Sequence, residues 1–195
     1  MKKIPTLFER DFSKMGRFTL TDKVKEGMEW VLAGEGVATI KMDGSCCAII
    51  NGLFYKRFDA RPGKKIPVGA IPCCDPDPVT GHHPHWVKVD PYKPEDKWFW
   101  AALQGWFETH TDAPEDGTYE AIGKHFQGNP YGLEYDTLYK HGSVIVSVDR
   151  SFDGIRDYLQ KNYIEGLVFW KDGEPQCKIK RTDYGLEWNG KTTKR

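Results

Sequence analysis

Val37-Ala-Thr-Ile-Lys-Met-Asp-Gly-Ser-Cys-Cys-Ala-Ile-Ile-Asn-Gly-Leu-Phe-Tyr-Lys-Arg-Phe58 carries three strands in a row. Val37–Lys41 is β-branched and apolar up to its last residue, so it reads as a strand. Met42-Asp43-Gly44 is a turn, and Ser45–Ile50 is a second strand. Asn51-Gly52 is a two-residue hairpin signal, because both residues tolerate the positive φ that such turns require. Leu53–Phe58 therefore runs back antiparallel.

Outward from this core the pattern changes several times. Val24, Met28, Trp30 and Val31 give a helical spacing around Thr21–Val31, so residues 1–30 read as a helical preamble, broken by Gly34-Glu35-Gly36. Arg61 to Asp96 is rich in Pro and Gly and reads as a long loop with short strands. Residues 96–108 read as one buried helix despite Gly105, with Trp98, Trp100 and Trp106 assigned to the core. Thr118–Gly123 and Val144–Val148 read as strands, with a turn at Gly128-Asn129-Pro130. Phe152–Asn162 reads as a helix with Ile155, Tyr158 and Leu159 on one face. Gly166–Trp170 and Gln176–Lys180 are strands joined at Lys171-Asp172-Gly173. The sum is an α+β chain built on antiparallel sheet.

A chain of 195 residues suits one large domain or two small ones, and the expectation is a single domain over 1–195. The 28 basic and 28 acidic residues cancel, so net charge does not announce a nucleic-acid partner; a local basic surface would have to supply one. The basic tail over 182–195, with Lys178, Lys180, Arg181, Lys191, Lys194 and Arg195 in or beside it, is the richest such stretch. No segment approaches a membrane span, so a membrane partner is not expected. The five Cys are odd in number and include two adjacent pairs, which disfavours a secreted disulfide framework. A reducing, intracellular (cytoplasmic) setting is the corresponding expectation.

Four short segments at strands or turns carry charges that a plain core would not want. They are Lys41-Met-Asp43-Gly, Tyr-Glu120-Ala-Ile-Gly123, Glu165-Gly-Leu-Val168 and Lys178-Ile-Lys180. Lys41 ends an apolar strand after Ile40, where partial desolvation would free the amine as a nucleophile. Glu120 and Glu165, flanked by apolar residues and Gly, suit a ribose hydroxyl or a divalent metal. Lys178 and Lys180 alternate with Ile179 and so share one face of a strand, as a phosphate site requires. Each segment alone is commonplace.

In this order the segments resemble the motifs of the covalent nucleotidyltransferases, the superfamily of polynucleotide ligases and mRNA capping enzymes. The resemblance spans 37–181. Closer still, Lys41-Met-Asp-Gly-Ser-Cys-Cys, Arg57-Phe-Asp-Ala-Arg61, Asp75-Pro-Asp-Pro-Val-Thr-Gly-His, Gly117-Thr-Tyr-Glu-Ala-Ile-Gly and Gln127-Gly-Asn-Pro-Tyr-Gly are similar to the vertebrate 5′–3′ RNA ligase family.

The resemblance implies an ATP-grasp-like, antiparallel-sheet nucleotidyltransferase domain without a C-terminal OB domain, monomer favoured. It implies an ATP-dependent RNA ligase that joins 5′-phosphate and 3′-hydroxyl RNA ends in RNA repair. Lys41 would become the lysyl-adenylate, AMP would pass to the RNA 5′-phosphate, and a 3′-hydroxyl would expel it. Lys178 and Lys180 would hold the α-phosphate, and Glu120 the ribose. Arg57 or Arg61 would contact the ribose or terminal phosphates. Glu165 would hold Mg²⁺ through water, with Mn²⁺ able to substitute, and Asp43 would orient the nucleotide or a hydrated metal near Lys41.

Phe126, Tyr135 and Tyr139 are the aromatics in place to stack on adenine. Many RNA ligases have an acid just before the nucleophile, where this chain has Ile40, so backbone groups at Ile40 would serve the nucleotide instead. The alternatives are a DNA ligase, a capping-type guanylyltransferase, and a non-catalytic nucleotide- or RNA-binding module. Cys73-Cys74 and His82-His83-x-His85 offer zinc-type donors, but at a spacing that fits no usual zinc signature. They read as an ordered loop. Cys46 and Cys47 read as buried structural residues, and His125 as a phosphate contact or a solvated turn.

Overall fold

The structure, a computed structural model, describes residues 3–13, 18–61 and 63–189. In chain order the elements are β1 (Phe8–Asp11), β2 (Thr19–Val24), α1 (Glu29–Leu32), β3 (Val37–Lys41), β4 (Ser45–Ile50), β5 (Leu53–Ala60) and β6 (Ile71–Pro72). There follow β7 (His83–Lys88), α2 (Lys97–Trp106), β8 (Gly117–Ile122), β9 (Thr137–Lys140), β10 (Ile145–Val146), α3 (Phe152–Lys161), β11 (Gly166–Lys171) and β12 (Glu174–Lys180). The fold is mixed α+β with antiparallel sheets, as the sequence pattern implies. Among the described residues no helix is long and apolar enough to cross a membrane.

The chain divides into two compact units, one made of Ile4–Met42 and Gly142–Arg195, the other of Met1–Lys3 and Asp43–His141. In the first, four strands run in the order β10-β3-β11-β12, all pairs antiparallel. One face of this sheet is the core. Leu167, Phe169, Cys177 and Ile179 are fully buried there against Ile155 and Leu159 of α3 and against Leu7 and Phe8. Full burial of such a side chain is worth roughly 1.5–3 kcal/mol, so this face dominates the unit's stability.

α3 starts where Ser151 Oγ accepts from Gly154 N at 3.0 Å, an N-cap that satisfies an orphan donor. It ends where the Arg181 guanidinium donates to the carbonyls of Leu159 and Asn162. Arg181, read as part of a basic surface, is thus a clasp on the end of the helix, and its Nε donates to Glu187 O at 2.6 Å. The outer edge of β12 is covered by the N-terminal segment, where Leu7 N donates to Lys178 O and Lys178 N donates to Pro5 O. A covered edge does not recruit another strand.

The helical preamble is not what forms. Residues Phe8–Asp11 and Thr19–Val24 pair as an antiparallel ribbon, and among the described residues of this stretch only Glu29–Leu32 is helical. Thr19, Thr21 and Val24 are β-branched, and pairing with Phe8–Asp11 overrides the weak helical spacing of Val24, Met28 and Val31. Val144–Val148 contracts to Ile145–Val146. Lys191, Lys194 and Arg195 of the basic tail lie outside the described residues, whereas Trp188 in the same tail is buried.

The second unit holds a six-stranded sheet in the order β6-β7-β5-β4-β8-β9. α2 covers one face, packing Phe99, Trp100, Leu103 and Trp106 on Cys47, Ile49, Phe54, Tyr119, Ala121 and Leu138. Gly105 is required in α2 because a Cβ there would collide with the carbonyl of Asp136. Trp98 points away from that core. Trp98 is 38% exposed and stacks on the His125 ring, with centroids 3.3 Å apart. Asn51 and Gly52 both have positive φ, 52° and 69°, as the hairpin signal demands.

Candidate active site

In the first unit the register sets the chemistry. Lys41 lies opposite Gly166, and Gly166 lies opposite Lys180. Side chains alternate along each strand, so Lys41, Lys178 and Lys180 share the face opposite the buried Leu167, Phe169, Cys177 and Ile179. Gly166 lets β11 lie close against β12. A Cβ there would run into the carbonyl of Ile179 and lie 2.9 Å from Lys180 Cα.

Glu165, the residue before that glycine, is 4% exposed. Its Oε2 accepts from Lys41 Nζ at 2.5 Å and its Oε1 from Lys180 Nζ at 2.6 Å. One dry carboxylate therefore holds an ammonium from β3 and another from β12. Lys41 Nζ also reaches Met42 O at 3.4 Å. The expectation of a merely desolvated Lys41 misses this partner. The end of β12 is fixed in turn, because Lys180 N donates to Asp183 Oδ2 at 2.9 Å while Asp183 Oδ1 accepts from Arg10 at 2.6 Å.

As a metal ligand, Glu165 brings a single carboxylate whose two oxygens already accept from lysines. Each oxygen keeps a second lone pair. A single carboxylate held in this way does not make a metal cage built by protein alone.

In the second unit Glu120 stands on β8 with Cys46 opposite on β4 and Tyr139 opposite on β9. Glu120 Oε1 accepts from Gly44 N at 3.1 Å. The fit at Gly44 is close, because a Cβ would strike the carbonyl of Ala121 and lie 2.9 Å from Glu120 Cγ. Gln127 Nε2 donates to Gly44 O at 3.1 Å, and Asp43 N donates to the Tyr131 hydroxyl at 2.6 Å, so the turn after Met42 is tied down. Arg57 pairs with Asp59 at 3.0 Å, and Arg61 is exposed just past β5. Of the three aromatics, Phe126 is core, Tyr135 is exposed, and Tyr139 leaves the sheet on the same face as Glu120. His125 Nδ1 lies 2.7 Å from buried Asp136, so its turn is an ordered one.

Two neighbours of Glu120 escape a reading of the sequence. His141 Nε2 lies 2.9 Å from Glu120 Oε2, and its Nδ1 lies 2.9 Å from Thr118 Oγ1. Cys46 is buried beside them. Burial pushes its thiol up to about 12, the Glu120 carboxylate pushes the same way, and Arg57 opposes both. The signal for His141 is the β8–β9 register, which turns two residues 21 apart into neighbours, and for Cys46 it is the β4–β8 register. Nothing in local spacing gives it. The Cys73, Cys74 and His82–His85 donors, by contrast, form no metal-type group among the described residues.

Compared with known families and curated proteins, the chain matches no family model and no curated sequence.

Proposed function

We propose that the chain is a covalent nucleotidyltransferase that takes AMP from ATP onto Lys41, and that it is an RNA ligase joining 5′-phosphate to 3′-hydroxyl ends. The observation that carries this reading is the buried Glu165 carboxylate gripping both Lys41 and Lys180 on a face that also bears Lys178. A solvated surface has no use for a carboxylate that is 4% exposed and bound by two ammoniums, whereas phosphoryl transfer does.

On this reading Lys41 Nζ attacks the α-phosphorus. The ammonium first passes one proton to Glu165 Oε2, its acceptor at 2.5 Å; the N–P bond then forms, the bond to pyrophosphate breaks, and the second proton on the nitrogen leaves to solvent. Lys178 and Lys180 neutralise charge on the phosphate oxygens as it builds. Mg²⁺, when bound, would further screen the phosphates. Glu120, Arg57 and Arg61 are assigned to ribose and phosphate, and Tyr139 to adenine.

Protein labelled with α-phosphate-labelled ATP and freed of nucleotide is then chased with 5′-phosphorylated RNA or DNA. Transfer of label to RNA in preference to DNA supports the ligase reading. Transfer to DNA alone, or label from GTP in place of ATP, would replace it with a DNA ligase or a capping enzyme.

A further inference from the structure

We propose that Cys46, Glu120 and His141 form a zinc-type metal site with one open coordination position. The site stands on these three side chains and does not rest on the reading of Lys41; Glu120 is the one residue the two readings share, and a bound metal would take it from the ribose. Their donor atoms, one thiol sulfur, one carboxylate oxygen and one imidazole nitrogen, all lie within 4.8 Å of one another. In a tetrahedral zinc site with Zn–N near 2.0 Å and Zn–S near 2.3 Å, donors stand about 3.5 Å apart, so closure takes a movement of about 1 Å.

The orientation of the donors is the stronger argument. His141 Nε2 and Glu120 Oε2 face each other at 2.9 Å and share the space that a proton now bridges. The far side of each ligand is already held, as metal ligands usually are. His141 Nδ1 meets Thr118 Oγ1 at 2.9 Å, and Glu120 Oε1 accepts from Gly44 N at 3.1 Å. Cys46 is fixed by packing among Ala48, Tyr55 and Trp86. The ligands come from β4, β8 and the residue just past β9, three adjacent positions of one sheet, so no loop has to be ordered on binding.

The donor set selects the ion. A thiolate with an imidazole suits zinc, cobalt or cadmium and does not suit magnesium. One thiolate and one carboxylate cancel the charge of a divalent ion, so the filled site is neutral. On binding, the Cys46 S–H bond breaks, the S–metal bond forms and the thiol proton leaves to solvent. For a neutral ring, the proton on Nε2 is replaced by the metal and one is held at Nδ1 instead, where Thr118 Oγ1 accepts it. No electrons move.

The test is titration of the full chain with Co²⁺ and, separately, Cd²⁺, reading the sulfur-to-metal charge-transfer band. One equivalent should bind with that band. Cys46→Ser should abolish the band while the far-UV circular dichroism stays native. Glu120→Gln keeps the side-chain volume and should weaken binding without removing the band. Thr118→Ala should weaken binding by about tenfold or more through loss of ligand orientation. The double variant Cys73→Ser/Cys74→Ser should bind like the parent. Absence of a band in the parent, a band that survives Cys46→Ser, or one lost in the Cys73/Cys74 variant overturns the proposal.

Discussion

Replacing Glu165 with Gln tests the site at its centre. The change keeps shape but removes the charge that two ammoniums share, at 2.5 Å from Lys41 and 2.6 Å from Lys180. Removing one partner of a fully buried pair costs about 3–5 kcal/mol, because a charge is left unpaired in a dry place. Here the carboxylate side chain is 6% exposed but Lys41 is 22% and Lys180 36% exposed, so both ammoniums can turn toward water. The cost falls to about 2 kcal/mol, which for a chain of this size is a drop of about 4–8 °C in Tm.

The effect on chemistry is larger. Lys41 loses both its positioning and its proton acceptor, so the single-turnover rate of adenylation falls by about 10²–10⁴. Differential scanning calorimetry and a quenched-flow labelling gel measure the two effects. A Glu165→Gln protein that labels at the parental rate would rule out Glu165 as the group that positions Lys41, whatever its Tm.

Three further outcomes follow from the packing. Gly166→Ala forces a Cβ against the Ile179 carbonyl between β11 and β12, so urea unfolding should show a loss of about 2–4 kcal/mol, with adenylation impaired in the protein that remains folded. Lys56→Met strands Asp96, which is 1% exposed and whose other oxygen caps Asp90 N at 2.9 Å; a loss of about 3 kcal/mol is expected by the same measurement. Burial raises the Cys177 thiol from 9.0 to about 12, so the folded state keeps a proton that the unfolded state releases. The associated stability is complete below pH 9 and drains away toward pH 12, at about 1.4 kcal/mol per pH unit. Urea midpoints for Cys177→Ala should therefore fall less steeply with pH over that window than those of the parent.

How much could be read in advance differs between elements for physical reasons. Val37–Lys41, Ser45–Ile50 and the Asn51-Gly52 hairpin are legible because strand period and turn chemistry agree there. Lys178 and Lys180 are legible as one-face neighbours for the same reason. The union of Lys41 with Glu165 is not, since it depends on β3 and β11 pairing across 124 residues. His141 and Cys46 beside Glu120 are hidden by sheet register in the same way. The N-terminal ribbon was hidden by a helical spacing that tertiary pairing outweighs. Trp98, eight residues before Trp106 on α2, reads as core by period, yet Phe99 and Trp100 take the core side of that turn and Trp98 lies at the surface against His125.

The most direct test of the central claim is the site of covalent attachment. The protein is incubated with ATP labelled at the α-phosphate and with Mg²⁺, denatured, digested and mapped by mass spectrometry. The account predicts one acid-labile AMP on Lys41, absent from Lys41→Ala. An unlabelled protein, or an AMP on any other residue, would contradict it.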